Sequence, residues 1–101
     1  MRIYLDDKRE APFGWIRTYT VEETIEALET RQVTHLSLDN DLGLPREGYE
    51  VLDWLEKTIY FDSTFPVPEV AIHSSNSVRI DHMKRTLESI KRIRQQQAGE
   101  A

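Results

Sequence analysis

Short apolar segments and longer amphipathic segments alternate along this chain. The short segments are rich in β-branched and aromatic residues and are bounded by polar or Gly/Pro-containing stretches, a pattern typical of strands. They predict four strands: Arg2–Leu5, Trp15–Tyr19, His35–Leu38 and Glu69–Ile72. The stretch from Lys8 to Gly14 contains Pro12 and predicts a loop.

Three amphipathic segments predict helices. The first begins after Thr20, because Thr20 and Glu23 have the spacing of a capping box, and we expect it to end near Arg31. The second helix has an inward apolar stripe made of Tyr49, Val51, Leu52, Trp54, Leu55 and Ile59. The third begins near Val78, and its apolar positions are Ile80, Met83, Leu87 and Ile90.

The order of these elements is strand, strand, helix, strand, helix, strand, helix. Strands that alternate with helices indicate an α/β fold with a mainly parallel sheet and right-handed crossovers. We predict a single domain over residues 1–95 of the 101-residue chain and a disordered tail over residues 96–101.

The amino-acid composition of the chain excludes several classes of function. Apolar residues make up 39% and charged residues 31% of the chain, which is ordinary for a globular protein. We find no segment with the length and hydropathy of a membrane span and expect no membrane partner. The absence of cysteine excludes disulfides and thiolate metal sites, and we expect a cytoplasmic location. Residues 1–78 carry 7 Lys/Arg against 15 Asp/Glu, and this acidic balance argues against general DNA binding.

Aspartates follow directly after two of the predicted strands. Asp6 and Asp7 end the first strand, and Asp39 and Asp41 come directly after the third. In a parallel sheet the carboxyl ends of the strands line one crevice, which brings these side chains together. Carboxylates that share a crevice repel one another, and a hard divalent cation with oxygen ligands offsets the repulsion. Asp is also common in caps and turns, but this convergence favours a magnesium-type site.

The fourth strand ends in a polar, uncharged segment that offers different chemistry. His73 is a candidate general acid or base, and a neutral histidine bonded to the backbone is an equally good interpretation. Ser74 and Asn76 offer a hydroxyl and an amide to phosphate oxygens, or else cap the last helix. Arg9, which follows the acidic pair, is either a phosphate clamp or an ordinary surface residue.

The motifs around Asp39 resemble the phospho-acceptor region of response-regulator receiver domains. The receiver strand that ends in the acceptor aspartate is similar to Leu36–Asp39. The loop and helix start that follow it are similar to Leu42-Gly43 and Gly48–Leu52. The resemblance implies a truncated flavodoxin-like sheet of four strands, in the order 2-1-3-4, with about three helices. We expect no counterpart of the first receiver helix and no fifth strand with its lysine, which argues against ordinary phosphotransfer signalling.

A closer resemblance covers nearly the whole chain. Four motifs together resemble the cyclic-phosphate-processing receiver domains, a family of trimmed receivers found in bacteria and phages. The motifs are Leu5–Arg9, Leu38–Gly43, Gly48-Tyr49 and Ile72–Asn76. The resemblance implies a site for Mg²⁺ or Mn²⁺ among four carboxylates, Asp6, Asp7, Asp39 and Asp41. Asn40 stands where many members are expected to have histidine; if that histidine is catalytic in them, this chain must depend on His73 instead.

The carboxylates predict a divalent-metal-dependent phosphoesterase, and the resemblance implies that this hydrolase opens a cyclic phosphate, such as a 2′,3′-cyclic phosphate end on RNA or a cyclic nucleotide. Asp39 would hold the metal and orient water, or would itself attack phosphorus. His73 would protonate the leaving alkoxide. The phosphate would be gripped by Arg9, Ser74 and Asn76. Two alternatives stay open: a module that is phosphorylated on Asp39, and a binder of a cyclic nucleotide without turnover.

The fourth strand is predicted to lie at an edge of the sheet, because we expect no fifth strand beside it. Exposed edges are often covered by a partner or by a second copy of the chain. We expect the last helix to shield this edge in part. A monomer and a homodimer are both consistent with the sequence.

Overall fold

The computed structural model describes residues 1–99 as four strands and three helices. The strands are β1 (Arg2–Leu5), β2 (Ile16–Thr18), β3 (His35–Leu38) and β4 (Glu69–Ile72). The helices are α1 (Val21–Glu29), α2 (Tyr49–Phe61) and α3 (Ser77–Gly99). β1, β3 and β4 have the predicted bounds, whereas β2 is one residue shorter at each end. None of the described helices is long and apolar enough to cross a membrane.

The strands form one parallel sheet in the order β2-β1-β3-β4, which confirms the predicted strand order. β1 lies between β2 and β3, and Leu5 is in register with Thr18 and with Leu38. β4 pairs with the other side of β3, where Ile72 is in register with Leu38. The carboxyl ends of β1, β3 and β4 therefore lie side by side along one edge of the sheet.

A single hydrophobic core lies between the sheet and the helices. Its central strand residues are at most 1% exposed and are Ile3, Leu5, Leu36 and Leu38. The helices contribute to the same cluster with Val21, Leu28, Val51, Leu52, Leu55, Ile59, Met83 and Ile90. Because strand side chains alternate between the two faces, these strand residues share one face, which we call the covered face. Full burial of each such side chain stabilises the fold by about 1.5–3 kcal/mol.

Side-chain capping determines where α1 begins. The Oγ1 atom of Thr20 accepts a hydrogen bond from the backbone N–H of Glu23 at 3.1 Å, as the predicted capping box requires. The helix ends at Glu29, earlier than the predicted end near Arg31. Arg31 has a φ of 63°, a left-handed conformation that cannot continue a right-handed helix.

α3 continues as a helix through residue 99, into the segment for which we predicted a disordered tail from residue 96. The Nε2 atom of Gln97 donates a hydrogen bond to the carbonyl of Ile59 in α2 at 2.8 Å. The guanidinium of Arg94 donates to the carbonyl of Phe65. These contacts hold the last turns of α3 against the end of α2. Residues 100 and 101 lie outside the described part of the chain.

No helix of the described residues packs on the opposite face of the sheet, which we call the open face. Its strand side chains are Arg2, Tyr4, Arg17, His35, Ser37, Glu69 and Ala71. Trp15 lies over part of this face, with its ring centroid 6.4 Å from that of Tyr4 and 6.2 Å from that of His35. The connection from β1 to β2 is a loop, as predicted, so the sheet has one helical layer instead of two.

Candidate metal centre

Three carboxylates converge at the carboxyl edge of the sheet. One oxygen from each of Asp6, Asp7 and Asp39 lies within 4.8 Å of the other two. Asp6 follows β1 and Asp39 follows β3, and the backbone N–H of Asp39 donates to the carbonyl of Leu5 at 3.0 Å. Mg²⁺ and Ca²⁺ bind oxygen at about 2.0–2.6 Å, so oxygens this close can share one cation. These are three of the four carboxylates that the sequence predicts for the site.

Asp6 is the most buried of the three, with a side chain that is 2% exposed. Its Oδ1 accepts hydrogen bonds from the backbone N–H groups of Lys8 and Arg9, each at 2.8 Å. Its Oδ2 lies 3.1 Å from Nε2 of His73. Burial acts to raise the pKa of Asp6, but the two backbone hydrogen bonds and His73 outweigh it, and that pKa is lowered. Asp6 is therefore an ionised carboxylate that holds the turn after β1.

Asp7 carries a buried oxygen without a partner. Its Oδ1 makes no hydrogen bond to any described residue. Leaving a buried polar atom unsatisfied costs about 1–3 kcal/mol, and more for a charged group. A cation would satisfy this oxygen, so the donor set fits a hard divalent metal. The turn at Gly43, where φ is 65°, borders the same carboxylate, because a Cβ added there would lie 3.7 Å from Oδ2 of Asp7.

Asp39 is partly buried at the end of β3, and its pKa is raised. The largest cause is burial, and the negative charge of Asp6 is the next, with a smaller contribution from Asp7. The backbone N–H of Asn40 and the nearby His73 act in the opposite direction. The folded protein therefore disfavours the ionised form of Asp39. A cation bound among the three carboxylates would stabilise that ionised form.

Asp41 lies apart from this cluster. It is not among the described acidic residues whose oxygens lie within 4.8 Å of one another. Its Oδ1 instead accepts hydrogen bonds from Nδ2 of Asn40 at 3.0 Å and from Nδ2 of Asn76 at 3.3 Å. The side chain thereby links the loop after β3 to the start of α3. A role for Asp41 as a metal ligand stays a prediction.

His73 is held between two polar side chains. Its Nδ1 lies 2.7 Å from Oγ of Ser37 and its Nε2 lies 3.1 Å from Oδ2 of Asp6. Its ring stacks on Tyr4 with centroids 4.3 Å apart and planes 3° from parallel. A carboxylate can only accept, so in the neutral ring Nε2 carries the proton and Nδ1 accepts from the Ser37 hydroxyl. Among the described residues the ring is thus bonded to side chains and not to the backbone, and it lies beside the carboxylate of Asp6.

The predicted phosphate-binding residues lie around the same edge, but each is engaged in the described structure. Nη1 of Arg9 donates to the carbonyl of His73 at 3.2 Å. Oγ of Ser74 accepts from the backbone N–H of Asn76 at 3.1 Å. Oδ1 of Asn76 accepts from the backbone N–H of Arg79 at 3.1 Å, so Asn76 caps α3, which was the alternative interpretation of its sequence position. Their role in phosphate binding stays a prediction.

Sequence reasoning named Asn40 and Gly48 but did not foresee the contacts by which they shape the site. Asn40 is 0% exposed, its Oδ1 accepts from the backbone N–H of Tyr49, and its Nδ2 donates to Glu47 at 3.3 Å. A Cβ added to Gly48 would lie 1.8 Å from the carbonyl oxygen of Asp39, which no larger residue can tolerate. Both residues tie the start of α2 to Asp39. The sequence showed Asn40 as a departure from an expected histidine and Gly48 as part of a family motif, and neither signal indicates these contacts.

The parallel order β2-β1-β3-β4, with acidic residues at the carboxyl ends of β1 and β3, defines a flavodoxin-like receiver fold. The family model of the cyclic-phosphate processing receiver domain matches residues 1–89, and the chain belongs to that family. Searches of curated proteins and of solved structures found no match. The family description links this receiver fold to the processing of cyclic phosphates.

Proposed function

We propose that the protein is a divalent-metal-dependent phosphoesterase that hydrolyses a cyclic phosphate, such as a 2′,3′-cyclic end of RNA or a cyclic nucleotide. The observation that carries this proposal is the carboxylate cluster, in which Asp7 has a buried oxygen without a described partner and Asp39 has a raised pKa. Membership of a family described by cyclic-phosphate processing supplies the substrate class.

In this proposal Mg²⁺ or Mn²⁺ is held by Asp7 and Asp39, with Asp6 beside them and the main-chain carbonyl of Asp41 as a further oxygen. The bound cation supplies Lewis-acid polarisation of a phosphate oxygen. The remaining chemistry belongs to the side chains of this chain. Asp6, whose Oδ1 holds the turn at Lys8 and Arg9, orients the imidazole of His73 through Oδ2.

Ring opening requires one P–O bond to break and one to form. Water adds its oxygen to phosphorus and gives up a proton, while the ester oxygen leaves as an alkoxide and takes a proton from the imidazolium form of His73, which becomes the neutral ring. Asp39 either orients this water and accepts its proton, or adds to phosphorus first and is then released by water. The amide of the partly exposed Asn76, the Ser74 hydroxyl and the Arg9 guanidinium bind the phosphate oxygens once they exchange their present partners.

A second candidate is a protein that binds a cyclic phosphate without turnover. It is favoured by one observation, that both ring nitrogens of His73 are engaged with Ser37 and Asp6. A histidine held in this way can position neighbouring groups without giving up its proton. The two candidates share the same crevice and differ in whether the ring of the ligand is opened.

The test is phosphorus-31 NMR of the protein with Mg²⁺ and a panel of 2′,3′-cyclic and 3′,5′-cyclic nucleotides. We expect one class to open to the monoester, with loss of activity in D39N and after chelation of the metal. The matched control is D62N, because Asp62 is a partly exposed carboxylate that pairs with Arg31 away from the cluster. Shifted or broadened signals with intact rings would support the binder. A protein that leaves every ligand unchanged, but is phosphorylated by acetyl phosphate on Asp39, would be a receiver module.

A further inference from the structure

We propose that this protein forms a two-fold symmetric homodimer in which the β4 strands of two copies pair in antiparallel fashion. The two sheets of four strands would then join into one continuous sheet. β4 pairs with β3 on one side, and no described strand lies on its other side. The proposal rests on the chemistry of this edge and is independent of the proposed reaction.

The outer edge of β4 presents its hydrogen-bonding groups in a regular row. The backbone N–H groups of Glu69 and His73 point inward and donate to the carbonyls of Thr34 and Leu38, each at 2.9 Å. Successive residues of a parallel strand direct these groups to opposite sides. The N–H and C=O groups of Val70 and Ile72 therefore point outward, where a second strand would meet them.

Within Glu69–Ile72, β4 carries no lysine, proline or bulge, three of the features that protect edge strands, and Pro68 lies just before the strand. All four of its residues pair regularly with β3, and its one charged residue, Glu69, lies at the first position with its carboxylate 3.1 Å from His35. The opposite edge differs. β2 has three residues, and the guanidinium of Arg17 reaches from it to the carbonyl of Asp6 at 3.1 Å.

A groove of about 570 Å³ lies against β4. Its walls beyond the sheet include Val67, Leu87 and Ile90, with Lys91 at the rim. The ammonium of Lys91 lies 3.6 Å from Glu88, so the charge at this rim is balanced within one copy. The occupant that fits is a short extended segment with apolar side chains and matching backbone groups.

The β4 strand of a second copy meets these requirements. A two-fold axis at Ala71 places Val70 opposite Ile72 of the second copy, and such a pair exchanges two N–H···O bonds. Directly opposite side chains share a face, so the second copy's Val70 and Ile72 point toward the groove. The exposed Ala71 lies on the axis, where the strands approach most closely and a small side chain is required. Glu69 lies opposite His73 of the second copy, so the register places no like charges together.

The test is sedimentation equilibrium of the wild-type chain, of A71E and of A71K, each with Mg²⁺. We expect the wild type to reach twice its mass of 11.9 kDa as concentration rises. Two glutamates on the axis repel, so A71E should weaken the dimer by about a hundredfold, and A71K should do the same. An equimolar mixture of the two variants should recover the dimer, because opposite charges then meet, and this recovery also shows that both variants are folded.

The matched control is I16E, which adds the same charge to the other edge strand, where Ile16 is 51% exposed. This variant should dimerise like the wild type. Amide exchange gives a readout that needs no substitution, since Val70 and Ile72 should gain protection with rising concentration. A wild-type mass that stays at 11.9 kDa at every concentration, as an edge reserved for another protein would give, overturns the proposal. A dimer that survives both Ala71 variants, or one that is lost in I16E, overturns it as well.

Discussion

The covered face and the open face of the sheet are built from alternate residues of the same strands, yet they are stabilised by different interactions. On the covered face Leu36 and Leu38 are 0% exposed beneath the helices. On the open face their neighbours are His35, partly exposed, and Ser37, which is 8% exposed and bonded to His73. Parallel sheets are normally covered on both faces. In the described residues one helical layer covers this sheet, and the uncovered face carries aromatic and polar side chains that contact one another.

The largest difference between the faces should appear in stability. Leu36→Ala removes a fully buried side chain from the covered face and should lower the free energy of unfolding by about 3 kcal/mol. His35→Ala, one residue away on the open face, should cost less than about 1 kcal/mol. Denaturant titrations of both variants measure the contrast. Equal losses would mean that the open face is also packed in solution.

Ser37→Ala tests whether the open face is held by its polar contacts. The substitution removes the hydroxyl that lies 2.7 Å from Nδ1 of His73 and should cost about 1 kcal/mol. The Nδ1 nitrogen resonance of His73 should shift in the same variant, because its hydrogen-bond donor is gone. Ser63→Ala, at an exposed serine, is the control for both measurements. An unchanged His73 resonance would contradict the contact.

At the carboxyl edge of the sheet, ionisation of Asp39 should lower the stability of the folded protein. A raised folded pKa means that the folded state holds this proton more tightly, so the stabilisation is complete below the ordinary value of 3.8 and is lost as pH rises through the raised pKa. In the metal-free protein Asp39→Asn should therefore raise the Tm at pH 7 by about 2–5 °C. The Tm change should shrink toward acid pH.

The pH dependence that Asp6 gives to stability is opposite to that of Asp39, because the pKa of Asp6 is lowered. Its stabilisation is present above 3.8 and is lost as pH falls through the lowered value. Comparing Asp39→Asn with Asp41→Asn separates the carboxylate cluster from its neighbour. Asp41 accepts hydrogen bonds from Asn40 and Asn76, so its replacement should not raise the Tm. A Tm that rises equally in both variants would mean that general charge reduction, and not the cluster, explains the effect.

The smallest effect should come from an ion pair that belongs to neither face. Hydrogen bonds from Thr64 and Arg31 lower the pKa of Asp62 to about 2. Its stabilisation is present above 3.8 and is lost as pH falls through about 2. Asp62→Asn should flatten the acid limb of a pH–Tm curve and leave the neutral region nearly unchanged, since exposed pairs contribute little. A large loss at pH 7 would contradict this.

The parts of the molecule that depend on local pattern were predictable. Short apolar segments located β1, β3 and β4, and the spacing of Thr20 and Glu23 located the start of α1. The acidic ends of parallel strands placed Asp6, Asp7 and Asp39 together. These features follow from periodicity and from the direction of the strands.

Contacts between residues distant in sequence were not predictable. Ser37 and His73 are separated by a helix and a strand, and the serine has no signal of its own within β3. Asp41 is only two residues from Asp39 but lies apart from the cluster. Its Oδ1 accepts hydrogen bonds from Asn40 and from Asn76, which is distant in sequence. The length of α3 depends on the bond from Gln97 to Ile59, which polar composition at the chain end does not reveal.

The most direct test of the central claim is a titration of the ¹⁵N-labelled protein with Mn²⁺, followed by amide spectra. A paramagnetic ion bound by the three carboxylates should broaden the amides of Asp6, Asp7 and Asp39 first, then those of neighbouring loop residues. Mg²⁺ in excess should restore them, and D39N should require far more Mn²⁺. Broadening that begins elsewhere on the surface, or that is unaffected by D39N, would contradict the metal centre.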